Sequence, residues 1–243
     1  MALLVTLIAG LFFLVGALLA ILGKKKKGLI DFSIGMALSV MVLLVALDIV
    51  PEITEMLGKN SIYMYLFIIF GIVLLKLIDL LVPHHDHNEE IKHHERHLKH
   101  IGLMSSLALI IHNVIEGIGI YNIAVGNIKA GILLSVAVGL HNIPLGLEIT
   151  ASLSETKKNK KTIFISVLLL SISTMFGALI MVCVGNINDK ALGCLLSLTV
   201  GMIIYLVIFE LLIELLNSKN KKHATVGIIV GILLILLNTF ITK

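Results

Sequence analysis

The sequence predicts an all-α membrane protein that crosses the lipid bilayer eight times. Of its 243 residues, 58% are hydrophobic and 14% are charged, and the mean hydropathy is +1.07. A soluble domain carries about 25% charged residues, so this chain lacks the polar surface of a water-soluble globule. Its apolar residues form runs of about 20, the length of a membrane-spanning helix, and none of the runs alternates as a β-barrel strand does.

Eight apolar stretches follow one another along the chain, and each predicts a helix, because a bilayer admits only helices and closed barrels. The first stretch is followed by four lysines and not by a small-residue cleavage site, which argues against a signal peptide. Together the stretches form one transmembrane domain over residues 1–243. The predicted spans are about 2–22, 29–50, 62–82, 102–122, 131–153, 163–185, 191–216 and 224–241.

The basic residues predict how these spans are oriented. The loops after spans 1, 3, 5 and 7 hold four, three, four and three Lys or Arg residues, which is 14 of the 19 in the chain. The opposite side holds four, at positions 59, 129, 190 and 243. Because cytosolic loops are enriched in Lys and Arg, the first set is predicted to face the cytosol and both termini the outside. The pI near 9.0 therefore reflects topology and not nucleic-acid binding.

The longest polar segment is the predicted cytosolic loop 83–101, between spans 3 and 4. It holds seven of the ten histidines, and a His-rich tract is typical of metal binding. Two of them, His93 and His97, are four residues apart, which suits two imidazoles on one ion if the segment is helical. The alternative is a solvated linker that binds nothing specific. The seven are His84, His85, His87, His93, His94, His97 and His100.

Two related polar motifs lie in the middle of spans 4 and 5. Polar residues there are costly, and they mark ion or substrate pathways. Span 4 contains His112-Asn113-Val114-Ile115-Glu116-Gly117, and span 5 contains His141-Asn142-Ile143-Pro144-Leu145-Gly146-Leu147-Glu148. Matching motifs at the centres of consecutive antiparallel helices predict an inverted repeat around a central binding site.

The residue types in these motifs indicate a metal site. His112 and Glu116 share one helix face, and so do His141 and Glu148. Two imidazoles and two carboxylates suit a borderline divalent transition metal such as zinc. The candidate ligands are His112, Asn113, Glu116, His141, Asn142 and Glu148.

A second pair of motifs lies toward the ends of spans 2 and 7. Asp48 and Glu52, and likewise Glu210 and Glu214, are acidic residues four apart. On the predicted topology the two pairs lie at opposite mouths of the bundle, where they would collect cations at the entrance and exit. The alternative is that they are interfacial carboxylates in contact with water or a neighbouring Lys.

These motifs together resemble the ZIP family of metal transporters, in its GufA-like prokaryotic branch. His112-Asn113-x-x-Glu116-Gly117 is similar to the family's span-4 motif, and His141-Asn142-Ile143-Pro144-x-Gly146 is similar to its span-5 motif. Asp48-x-x-Pro51-Glu52 and Gly201-Met202-x-x-Tyr205 followed by Glu210-Leu211 also resemble family segments. The resemblance implies movement of Zn2+ into the cytosol across the cell membrane, with Fe2+, Mn2+ and Cd2+ as further candidates. It also implies a 3+2+3 helix bundle, a homodimer in membrane lipid, and an elevator-like slide of the site-bearing helices.

Two departures from the family pattern define our hypothesis for the site. Leu145 stands where the family's span-5 motif has a Glu, and Thr174 stands where the branch has a Glu in span 6. We therefore expect a single-metal site of His112, Glu116 and His141, completed by Asn113 or Asn142 and by Glu148.

The same departures keep a second function open, that of a ZIP-like membrane protein that senses or stores metal without transporting it. An intramembrane metalloprotease is disfavoured, because no His-Glu-x-x-His sequence occurs. We do not expect an enzyme.

Overall fold

The computed structural model describes residues 1–23, 28–59, 61–81, 90–155, 160–185 and 187–242. Within these ranges the chain forms eight long helices, each with an apolar stretch long enough to cross a membrane, as the sequence predicts. The protein is therefore an all-α, multi-pass membrane protein. The helices are α1 (Ala2–Gly23), α2 (Leu29–Leu57), α3 (Ile62–Leu81), α4 (Glu90–Gly126), α5 (Ile128–Glu155), α6 (Lys160–Val184), α7 (Asp189–Asn217) and α8 (Lys221–Thr242).

Helix α4 extends well beyond its predicted span. It begins at Glu90, whereas the apolar span begins near residue 102. Six of the twelve residues 90–101 are Glu, Lys, Arg or Leu, which favour helix, and the segment contains neither Gly nor Pro. Part of the predicted loop 83–101 is therefore helical. Apolar runs locate the membrane layer, but a helix ends only where its backbone is interrupted.

Helices α2 and α7 each contain one π-helical turn, Val45–Ile49 and Val207–Leu211. Such turns are rare and occur frequently at functional sites. Asp48 lies in the first turn and Glu210 in the second. The two acidic motifs that match in sequence therefore also match in backbone geometry.

The π turn explains why α2 continues through Pro51. The N–H of Val50 bonds to the carbonyl of Val45, five residues back. A proline in a regular helix clashes with the carbonyl four residues back and has no N–H to donate. The wider turn just before Pro51 relieves this clash, so the helix runs on to Leu57, beyond the predicted end near residue 50.

The helices form two groups related by an inverted repeat. α1, α4, α5 and α6 pack together as the first group, and α2, α3, α7 and α8 as the second group. In this repeat α1 corresponds to α6, α2 to α7, α3 to α8 and α4 to α5. The contact of α1 with α5 therefore corresponds to the contact of α6 with α4. The contact of α2 with α8 likewise corresponds to the contact of α7 with α3. The predicted inverted-repeat bundle is confirmed.

Reciprocal glycine contacts hold each group together. In four helix pairs, a glycine of each helix lies directly against a backbone carbonyl of the other, so that no Cβ would fit between them. Small residues allow this close approach in membrane helices. All four pairs join helices of the same group. They are Gly16 and Gly146 (α1–α5), Gly117 and Gly177 (α4–α6), Gly71 and Gly201 (α3–α7), and Gly35 and Gly227 (α2–α8).

We predict that Gly117→Ala destabilises the protein and that Gly119→Ala does not. The alanine Cβ at position 117 would overlap the carbonyl oxygen of Thr174, which forces α4 and α6 apart, whereas nothing lies within 4 Å at position 119. Overpacking of this kind costs about 1–3 kcal/mol. The midpoint of thermal unfolding in detergent should fall for Gly117→Ala alone. Equal midpoints for the two variants would contradict the packing described here.

Candidate metal centre

The turn between α4 and α5 places the two central histidines at the same depth. Only Asn127 separates the helices, and its side-chain oxygen accepts hydrogen bonds from the N–H groups of Lys129 and Ala130 at 3.1 and 3.2 Å. His112 lies 15 residues before Asn127 and His141 lies 14 residues after it. At 1.5 Å per residue both are about 21–23 Å from the turn. The matched depth thus follows from the tight turn.

His112, Glu116 and His141 converge on one point. The Nε2 atoms of both histidines lie 3.1 Å from the same oxygen, Oε1 of Glu116. The centroids of the two rings are 6.5 Å apart. Both histidines are buried, and the Glu116 side chain is 11% exposed. Among the described residues these three form a group whose potential ligand atoms all lie within 4.8 Å of one another.

Two of the three ligand spacings in this group, those from Glu116 Oε1 to the two histidines, are close to the spacings of a zinc site. Zn–N and Zn–O bonds of about 2.0–2.1 Å place tetrahedral ligand atoms about 3.4 Å apart. The spacings of 3.1 Å are within a few tenths of an ångström of that value. His141 is hydrogen-bonded to Glu116, but Nε2 of His112 has no hydrogen-bond partner among the described residues. A cation between the three side chains would satisfy all of these atoms.

A cavity of about 340 Å³ reaches the group from one end of the bundle. Its α4 lining runs from His112 to Ile120 and its α5 lining from Leu134 to His141, so it lies between the histidines and the α4–α5 turn. Asp48 of α2 lines the same cavity. The two histidines therefore stand where the cavity ends.

The two acidic pairs differ in their surroundings. Asp48 and Glu52 line the cavity, and Glu52 is exposed. Glu210 and Glu214 are buried, with 5% and 6% exposure, and are not part of the cavity lining. Only the first pair therefore shares a cavity with the site. The predicted roles at entrance and exit remain predictions.

Asn113 and Asn142 bind neighbouring helices through their amide nitrogens. Asn113 Nδ2 donates to Ser173 Oγ at 3.1 Å and to the Leu170 carbonyl at 3.3 Å, both on α6. Asn142 Nδ2 donates to the Ala9 carbonyl on α1 at 3.1 Å. The two asparagines thus make equivalent contacts in the two halves of the repeat. Each amide oxygen is buried without a hydrogen-bond partner among the described residues.

Glu148 is not part of the His112–Glu116–His141 group. It is fully buried, and Oε1 accepts a hydrogen bond from Ser152 Oγ at 3.0 Å. Leu145 and Thr174, at the positions of the two missing carboxylates, are also fully buried. Both departures therefore lie inside the protein, in the same part of the bundle as the site motifs.

The histidines of the 83–101 segment are described only in part. His84, His85 and His87 lie outside the described residues. The backbone at His93, His94, His97 and His100 is helical, as part of α4. The predicted helical spacing of His93 and His97 is therefore present, and metal binding by this segment remains a prediction.

Two polar residues that line the cavity, Glu55 and Asn238, are not among the site residues predicted from the sequence. Asn238 is a buried amide within the apolar α8. A polar residue inside an apolar span was the signal used for the other site residues, and it would have identified Asn238 as well. Glu55 lies beyond the predicted end of span 2, so no intramembrane signal pointed to it.

The family model and the relatives that match this chain all describe zinc transporters. The family model described as "ZIP Zinc transporter" matches residues 83–239. Zinc transporter ZupT of Streptococcus mutans is 27% identical, over 96% of this chain and 94% of the relative. Zinc transporter ZupT of Chlorobium chlorochromatii is 26% identical, over 93% and 91%. Zinc transporter ZupT of Escherichia coli O7:K1 is 24% identical, over 94% and 92%.

We predict that His112→Ala and His141→Ala each weaken zinc binding by more than about 100-fold, because removal even of a residue that only orients a ligand costs 10–100-fold. His223→Ala is the matched control, since its ring packs against Gly28, far along α8 from the cavity residue Asn238. Binding is measured by competition with a fluorescent chelator. All variants carry Asn in place of the seven histidines of the 83–101 segment, which removes their contribution. Unchanged affinity in either site variant would exclude that histidine as a ligand.

Proposed function

The chain belongs to the ZIP zinc transporter family, and we propose that it carries a divalent transition metal, zinc foremost, into the cytosol across the cell membrane. The observation that carries this proposal is the convergence of His112, Glu116 and His141 where a cavity ends at mid-span. Zinc is the ion that the names of the relatives specify. Fe2+, Mn2+ and Cd2+ are further candidates as substrates.

The cavity supports a route of entry. Asp48 and Glu52 line it ahead of the site, and carboxylates in a cleft with apolar walls raise the local concentration of cations. The ion then exchanges water for the two imidazole nitrogens and the Glu116 oxygen. The amide oxygen of Asn113 or Asn142 supplies the fourth ligand, since each lacks a hydrogen-bond partner among the described residues.

The two helix groups support a mechanism for the rest of the cycle. A transporter exposes its central site to each side in turn, through movement of one bundle against another. The reciprocal glycine contacts lie within the groups, so each group can move as a unit. We propose that the first group, which carries the site, slides against the second. Glu210 and Glu214, which are buried here, then line the exit.

The donor set supports one bound metal and a preference for zinc over manganese. Leu145 and Thr174 stand where the family pattern has two further carboxylates, which leaves fewer ligands for a second ion. Two imidazole nitrogens beside one carboxylate oxygen and one amide oxygen suit zinc better than the harder Mn2+, which prefers sites made of oxygen ligands alone.

The distribution of basic residues among the loops supports the proposed direction of transport. The positive-inside rule places the His-rich segment in the cytosol, where it would receive the ion. The homodimer implied by the family resemblance is part of the same proposal.

A membrane metal sensor or store is the second candidate, and the replacements at Leu145 and Thr174 favour it. A sensor would bind metal at the same three residues and carry no flux. The two functions therefore predict equal binding and different uptake.

We predict zinc uptake by proteoliposomes of the wild-type protein and its loss in Glu116→Gln, because the neutral amide cannot balance the charge of the ion. Uptake is followed with an entrapped zinc fluorophore. Asp189→Asn, which removes an exposed carboxylate at the start of α7, is the charge-matched control and should transport normally. Zinc binding by the wild type without uptake would favour the sensor.

We also predict that tenfold excess Mn2+ leaves most of the zinc uptake intact, because half of the proposed ligands are imidazole nitrogens, which Mn2+ binds less well than zinc does. Competing ions are added outside the proteoliposomes, and initial rates are compared with those under tenfold excess Cd2+, which should inhibit strongly. If Mn2+ inhibits as strongly as Cd2+, the proposed ligands are wrong.

A further inference from the structure

We propose that Glu148 is a separate cation-binding station on the exit side of the His112–Glu116–His141 site, and not a ligand of that site. The inference rests on the proposed function and adds a step to it. The ion leaves the three-residue site and is next bound by the Glu148 carboxylate, assisted by the Ser152 hydroxyl.

The position of Glu148 on α5 places it beyond the site. It is seven residues after His141, which is two helical turns and about 10 Å along the axis, on nearly the same face. Apart from His141 itself, the cavity residues of α5 are Leu134, Ala137 and Val138, which precede His141 and lie on the opposite side of the site from Glu148. Glu148 therefore follows the site in the direction away from the cavity.

The surroundings of Glu148 are unusual for a carboxylate. Its exposure is 0%, and Ser152 is its one hydrogen-bond partner among the described residues. The second oxygen, Oε2, has no partner there. Leu147, one residue before Glu148, and Ala151, one turn after it, belong to an apolar cluster with Met36 of α2. Burial of a carboxylate in such a place without a charge partner costs several kcal/mol, and intramembrane carboxylates mark ion pathways.

Helix α5 also lies at the boundary where movement is proposed. It belongs to the first group and contacts α2 of the second. Leu147 and Ala151 pack with Met36 of α2, so a slide of one group against the other changes the contacts of α5 next to Glu148. Glu148 would then meet the new opening with one oxygen held by Ser152 and the other free to bind the ion, so that the passage out proceeds in two short steps.

The alternative is a purely structural role, in which Glu148 is a protonated carboxyl group that only accepts the hydrogen bond from Ser152. Glu148→Gln separates the two roles, because a glutamine oxygen accepts the same hydrogen bond but carries no charge. Glu148→Asp keeps the charge. Thr150→Val, at a fully buried polar residue two positions away on a different face of α5, is the matched control.

The test measures zinc uptake by proteoliposomes and zinc affinity in detergent for the same variants. We expect Glu148→Gln to lower the maximal uptake rate by at least about tenfold, with affinity within about threefold of the wild type. Glu148→Asp should retain most of the rate, and Thr150→Val all of it. Equal thermal unfolding midpoints identify variants that remain folded.

Three results would overturn the inference. Unchanged uptake in Glu148→Gln would exclude Glu148 from the route. Loss of affinity as large as in Glu116→Gln would make Glu148 a ligand of the central site. Loss of only the pH dependence of uptake would make it a proton carrier. Absence of uptake by the wild type refutes the proposed function instead, so the two failures are distinguishable.

Discussion

The protein depends on the approach of two imidazole nitrogens to one carboxylate oxygen inside a bundle of apolar helices. His112 and His141 both lie 3.1 Å from Oε1 of Glu116, and in hydrocarbon such groups persist only when they satisfy one another or bind an ion. The remaining features of the bundle serve this arrangement. The one-residue turn at Asn127 fixes the depth of the two histidines, and the asparagines beside them fasten α4 and α5 to α6 and α1.

Contacts between glycines and backbone carbonyls hold the helices of each group together, so the bundle consists of two tightly packed groups. The hydrophobic effect does little to drive helix association in lipid, so close van der Waals packing holds the helices together instead. Because the tightest of these contacts lie within the groups, the boundary between the groups is the place where the bundle can change shape. The site lies in the first group, while Asp48 and Glu210, each in a π turn, lie in the second. A slide would therefore move the candidate metal site of the first group past the two acidic pairs of the second group.

The helices of the bundle follow the inverted repeat, but equivalent residues in the two halves differ in their access to the cavity. The repeat matches Asp48 with Glu210 and His112 with His141, yet the cavity includes only Asp48 of the first two, and Glu210 is buried. This difference is what an inverted repeat shows when its central site is open toward one end of the bundle and closed toward the other. Glu148 adds a further asymmetry, since α4 has Gly119 at the position that corresponds to it in the aligned motifs.

The sequence by itself determined the eight spans, the repeat and the three converging residues, because a polar group in hydrocarbon is costly unless it has a hydrogen-bond partner or binds an ion. A mid-span His-Asn pair that occurs twice therefore has few interpretations. Only the tertiary structure decided what each polar atom contacts. It placed the nitrogens of Asn113 and Asn142 against other helices, put Glu148 outside the central group, and brought Asn238 and Glu55 to the cavity. Helical spacing fixes the face on which a side chain lies, but the neighbour it meets there depends on helices distant in sequence.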